Sequence, residues 1–417
     1  LASVSNLKLT TAFQELAQIF LFVMSKGPGF KTFYSPHQAK ANLIPVVKLI
    51  GFIANLHPPK VRAQFGRGCL DSLGLEDIPI CWGEEAEADL SKREDPQPWE
   101  FPDTVFKLLW AKDATFTPYG RDKKVEADQH EIQSGVKFLD RIVKEKIESR
   151  EKDSPKLTFL LISGLADIAT FAKREPKKLG LATEKIVLQG EYKLEQGVVK
   201  PNLKAANNAF DEQEAAEFHK YIESYHIPSV VYTRYAAMGA KMDAKLFQDL
   251  KATGHPIGVH LATVQKIQDT AFYERACNKD PAKRFLPHLD QEWFLGGKTN
   301  WYEKNPKPKD GSKPKSPPVG SDIAPFVQLV FYDVLAALGT AGNDVLRALE
   351  VLDPAGLLDN EDNIHQIVGR EKKNPDPKGR PIQDPQIKVE NMKMAIAALM
   401  KGSLLAVQQK IPSTHVA

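Results

Sequence analysis

Short runs of β-branched and aromatic residues recur along this chain, each followed by a segment whose apolar residues fall at helical spacing. That alternation points to an α/β fold, a mostly parallel central sheet flanked by helices. The first run is residues 48–55 (KLIGFIAN). Pro58 and Pro59 then open a helix in which Val61, Phe65, Cys69 and Leu73 share one face. Further strands are expected at residues 78–82 (IPICW), 157–162 (LTFLLI), 185–189 (KIVLQ), 229–233 (SVVYT) and 326–331 (FVQLVF). Helices are expected to start near Leu165, Asp211 and Asp243. No internal repeat interrupts the series.

With 42% hydrophobic residues in 417, the chain can bury a large core, and one domain spanning residues 1–417 is expected. The 56 Lys and Arg nearly balance the 53 Asp and Glu, so neither nucleic acid nor an anionic membrane is expected as partner. A small ligand fits better. Cys69, Cys81 and Cys277 lack metal-site spacing, which fits a reducing compartment such as the cytoplasm. No apolar run reaches the roughly 18–20 residues that span a bilayer. The apolar residues 19–24 are preceded by a single lysine, Lys8, and read as a core helix rather than a signal peptide. Residues 84–103 are acidic and proline-bearing, and 370–385 are polar. Residues 298–322 are rich in Lys, Pro, Gly and Ser and are expected to form a flexible, solvated loop. The apolar density of 386–410 suggests a closing helix docked on the body.

At 157–176 a strand runs into a small-residue turn and a helix start, where open α/β sheets collect ligands. The pieces that follow, LQGEY at 188–192, NNAFDEQEAA at 207–216 and HIPSVVYT at 226–233, come in a specific order. Together with SGLAD at 163–167, that order resembles the inosine-uridine nucleoside hydrolases. Their pattern is a GPLTN-like turn, a strand ending in MGG, an EFN-x-x-x-DP-x-AA segment and a strand after G-I-P. ANNAFD and TRYAA are similar to the divergent branch containing nucleoside hydrolase-like type III effectors. The resemblance covers residues 48–340.

The resemblance implies a calcium ion held by an N-terminal DxDxxxDD motif, a turn carbonyl and a distant aspartate. It would orient the ribose hydroxyls and activate a water that attacks C1′ through an oxocarbenium-like state. Carried onto this sequence, the distant aspartate is Asp333, and the turn carbonyl falls at Ala166. The ribose-binding asparagine is Asn207 with Asn208 beside it, and Asp211 is the aspartate of DP. Self-association or a protein partner is expected by resemblance only.

The N-terminal motif is where this chain departs. Residues 1–60 contain a single acid, Glu15, and the first aspartate is Asp71. Ser35, Pro36 and His37 stand in the region of the lost acids. Calcium takes about six to eight oxygen ligands, several of them charged, so Asp333 alone would hold it weakly or not at all. Two functions therefore stay open. One is a catalytically impaired or inactive relative with a remnant ribonucleoside pocket. The other is an active calcium-dependent ribonucleoside N-glycosidase that recruits other acids. Plainer roles also stand beside the implied ones: helix cap for Asp333, turn residues for Asn207 and Asn208, a surface group for His37, core packing for Tyr332.

Overall fold

The computed structural model describes residues 49–75, 78–84, 134–149, 156–195, 198–203, 205–239, 241–284, 287–306, 316–342, 346, 350–351, 364–369 and 387–408. Ser35–His37, residues 85–103 and 370–385, and the middle of the 298–322 stretch lie outside them.

Strand β1 (Phe52–Ala54) leads into helix α1 (Pro59–Ser72), which Pro59 starts because its missing N–H would be unpaired there anyway. The sequence pattern is met on α1 by the buried Phe65 and Cys69, with Leu73 just past its end. Strand β2 (Ile80–Trp82) pairs parallel with β1, Phe52 opposite Ile80. Helix α2 (Gly135–Glu148) turns Val136, Phe138, Leu139 and Val143 inward. Strand β3 (Leu157–Leu161) is followed by α3 (Ala166–Arg174) and α4 (Pro176–Ala182), and then by β4 (Thr183–Gln189). An antiparallel hairpin, β5 (Tyr192–Glu195) and β6 (Val198–Pro201), separates β4 from the short α5 (Ala206–Ala209) and α6 (Glu212–Ser224).

Strand β7 (Ser229–Tyr232) precedes α7 (Arg234–Gly239), β8 (Met242–Asp243), α8 (Lys245–Lys251) and the 21-residue α9 (Pro256–Ala276). Then follow α10 (Gln291–Lys298), α11 (Trp301–Lys304), β9 (Gln328–Leu329), α12 (Tyr332–Gly339), β10 (His365–Val368) and α13 (Val389–Gln408).

The central sheet has the order β10-β7-β4-β3, all parallel. Alternate residues of each strand serve opposite faces. Val187, Val230 and Val368 join a core with residues of α1, α8, α9, α12 and α13. Ile186, Leu188, Val231 and Ile367 join a second core with α2, α3 and α6. Strands buried on both faces read as continuous apolar runs, which is why the inner strands β4 and β7 stand out in the sequence.

One strand expectation needs correction. Residues 326–331 do not form a strand of the central sheet; Gln328 and Leu329 pair antiparallel with Met242 and Asp243, after a 3-10 turn at Ala324–Phe326. Their apolarity comes from packing between helices, with Phe331 set against Phe247 at 6.0 Å between ring centroids. The sheet position next to β7 belongs to β10, which the sequence did not announce. Among the described residues, no helix is long and apolar enough to cross a membrane.

Candidate functional site at the strand carboxyl ends

The carboxyl ends of β1, β2 and β3 are tied together by one buried polar knot. Asn55, the residue after β1, donates from Nδ2 to the Gly164 carbonyl (2.9 Å) and to Asp167 Oδ2 (3.1 Å). Ser163 Oγ donates to Asn55 Oδ1 at 2.7 Å. The Glu84 N–H, just beyond β2, donates to Asp167 Oδ1 at 3.1 Å. Both Asp167 oxygens are therefore engaged. Burial pushes its carboxyl up to about 6, against the donors from Glu84 and Asn55 that pull it down.

The second segment is held just as firmly. Asn207 donates from Nδ2 to the Gln189 carbonyl at 3.0 Å and to Gln189 Oε1 at 2.7 Å, at the end of β4. A backbone carbonyl can only accept, so the amide nitrogen must face it and Oδ1 must point the other way. That oxygen is buried and accepts no hydrogen bond. Asn208 Nδ2 is spent on the carbonyls of Asn202 (3.1 Å) and Glu191 (3.3 Å). Asp211 caps α6, accepting from the Glu214 N–H at 3.1 Å. Phe210 packs with Leu56 and Ala166 in a small buried cluster, so the 207–211 segment meets the turn after β3.

Asp333 arrives by a different route. It lies in the first turn of α12, 5% exposed. Gly339, at the far end of α12, abuts the Tyr232 ring, and Gly342 approaches Lys185 near the start of β4. Tyr332, in the same turn as Asp333, feels the charges of Arg234, two residues past β7, and of Asp333. Burial pushes the Tyr332 hydroxyl up to about 12, so it stays protonated at neutral pH. The 207–211 segment and Ala166 thus meet at the carboxyl ends of β3 and β4, where open α/β folds collect ligands. Sequence reasoning missed Asn55, Gln189 and Arg234. A polar residue at or within two positions of the end of each strand is the signal that could have found them.

Asp167 already gives both oxygens to N–H donors, and Asn55, Asn207 and Gln189 are amides. Among the described residues, no three His, Cys, Asp or Glu side chains gather where they could hold a metal ion.

No family model and no curated protein matches the chain. Solved structures do. The effector protein XOO4466 superposes with a TM-score of 0.61 over 88% of each chain, at 19% identity. The type III effector XopQ, solved with adenosine diphosphate ribose, gives 0.58 over 91% of this chain and 90% of that chain, also at 19% identity. Sheet order, strand-end geometry and these superpositions agree: the chain has the nucleoside hydrolase-like fold found in type III effectors of the XopQ kind.

Proposed function

We propose that this protein binds a ribonucleoside-type ligand at the carboxyl ends of its central strands and does not cleave it. The observation that carries the reading is Asn207 Oδ1, a buried acceptor fixed in orientation by Gln189 and receiving no hydrogen bond. Leaving such a group unpaired costs about 1–3 kcal/mol, and a ribose hydroxyl is the donor that would relieve it. The ligand seen in XopQ, adenosine diphosphate ribose, contains such hydroxyls and supports the same ligand class here.

The acids support the reading of no cleavage. Hydrolysis in the resembled family depends on clustered carboxylates that hold a cation and ready a water. Here Glu15 is the single acid in residues 1–60, and Asp167 is already engaged by N–H donors. Amides in place of carboxylates can bind sugar hydroxyls but cannot accept a proton from water at neutral pH.

Calorimetric titration with adenosine and inosine tests the reading. The wild-type protein is expected to bind, and Asn207→Ala to bind about tenfold or more weakly while keeping its far-UV dichroism. Equal affinity for both proteins, or no binding by the wild type, would overturn it.

A further inference from the structure

Arg234 lies two residues past the end of β7 and shares the strand ends with Asn207, because the Gly190 N–H after β4 bonds the Tyr232 carbonyl at 3.1 Å. Its guanidinium carbon lies 4.9 Å from the Tyr235 ring centroid, and Nη2 donates to the Tyr235 hydroxyl at 2.8 Å. Nε stands 3.5 Å from Glu191 Oε2. The side chain is nevertheless 60% exposed. An arginine built only to pair with Glu191 would turn its two-nitrogen edge to the carboxylate, the strong bidentate geometry. Here the ion pair is single and long, the ring fixes the guanidinium plane, and among the described residues Nη1 has no hydrogen-bond partner.

We propose that Arg234 reads a phosphate carried by the ligand, so that the site prefers a phosphorylated ribonucleoside to the bare one. The inference rests on the ribonucleoside reading above and adds the anionic group to it. A planar guanidinium fork matches phosphate oxygens, and stacking on an aromatic ring lowers the entropy lost in holding it. Glu191 acts in the opposite sense. It aims the arginine in the free protein and repels the phosphate when one arrives. Asp333, the other acid considered for the site, is buried at 5% exposure, whereas Arg234 is 60% exposed.

The test compares adenosine, AMP and ADP-ribose by calorimetry on the wild type, Arg234→Met and Glu191→Gln, at two salt concentrations. The wild type is expected to bind AMP and ADP-ribose about tenfold more tightly than adenosine, with the preference shrinking at high salt. Arg234→Met should bring that ratio close to one while adenosine affinity stays within about twofold, and Glu191→Gln should widen it. Adenosine binding with no phosphate preference, or a preference that survives Arg234→Met, overturns the assignment of Arg234 alone. Failure of the wild type to bind adenosine, AMP and ADP-ribose overturns the ribonucleoside reading and this inference together.

Discussion

Alanine at Gly83 or at Gly135 is expected to destabilise the protein by about 3 kcal/mol, combining overpacking with loss of a buried hydrogen bond. A Cβ on Gly83 would sit 2.0 Å from Asp167 Oδ2, and one on Gly135 would sit 2.4 Å from Oδ1. The carboxylate cannot retreat cheaply, since it is the acceptor that joins Asn55 and the Glu84 N–H. Urea denaturation of the single variants and of Gly83→Ala combined with Asp167→Ala would check the cause. If the carboxylate is what the new methyl strikes, the glycine substitution should cost little once Asp167 is gone, giving a coupling above about 1 kcal/mol. Additive effects would show that the glycines matter for some other reason.

A second large effect is expected in acid. Burial lowers the histidines at 219 and 260 from 6.5 to about 4, and His260, set 4.8 Å from the Phe65 ring, has no hydrogen bond on either nitrogen. The folded pKa is depressed, so the unfolded chain takes up the proton first. The stability contributed by each neutral histidine is present above pH 6.5 and is lost as pH falls toward 4, about 3 kcal/mol in all for each.

Asp167 and Asp269 work against this. Burial raises both from 3.8 to about 6, so their contribution is largest below 3.8 and is lost as pH rises through 6. A simple pH titration of stability would therefore mix opposing terms, and the informative quantity is a difference between two proteins. His260→Leu should be more stable than the wild type by about 1–2 kcal/mol at pH 7, where it removes unpaired buried polar atoms. At pH 5 the advantage should grow by about 2 kcal/mol. A difference that does not change between the two pH values would contradict the burial argument.

The parts of the fold that the sequence disclosed are those with a simple periodic cause. Strands β3, β4 and β7 send side chains into both helical layers, and so each carries a short run of apolar residues. The start of α6 was legible because Asp211 and Glu214 stand three apart before an apolar face, the spacing of an N-terminal cap. Strand β10 was not legible: His365 and Gln366 are polar, it lies at the sheet edge, and it is only four residues long. The run FVQLVF misled because a short apolar segment does not say which partner buries it.

The site divides in the same way. Motif order offered Asn207, Asp211 and Asp333 as candidates. The Asn55 amide and the Gly164 carbonyl that accepts from it are 109 residues apart, and no local pattern marks such a pair. Nor did the sequence show that Asp167, read only as part of a turn, would be the acceptor holding three strand ends together.

The most direct test of the central claim is to incubate the full chain with adenosine or inosine, with and without added calcium, and to measure bound nucleoside and free base in the same sample. The account predicts saturable binding of intact nucleoside with release of base no faster than in buffer, and no change on adding calcium. Base release well above background, in either condition, would contradict it and would mean that acids not at this strand edge complete a working hydrolase.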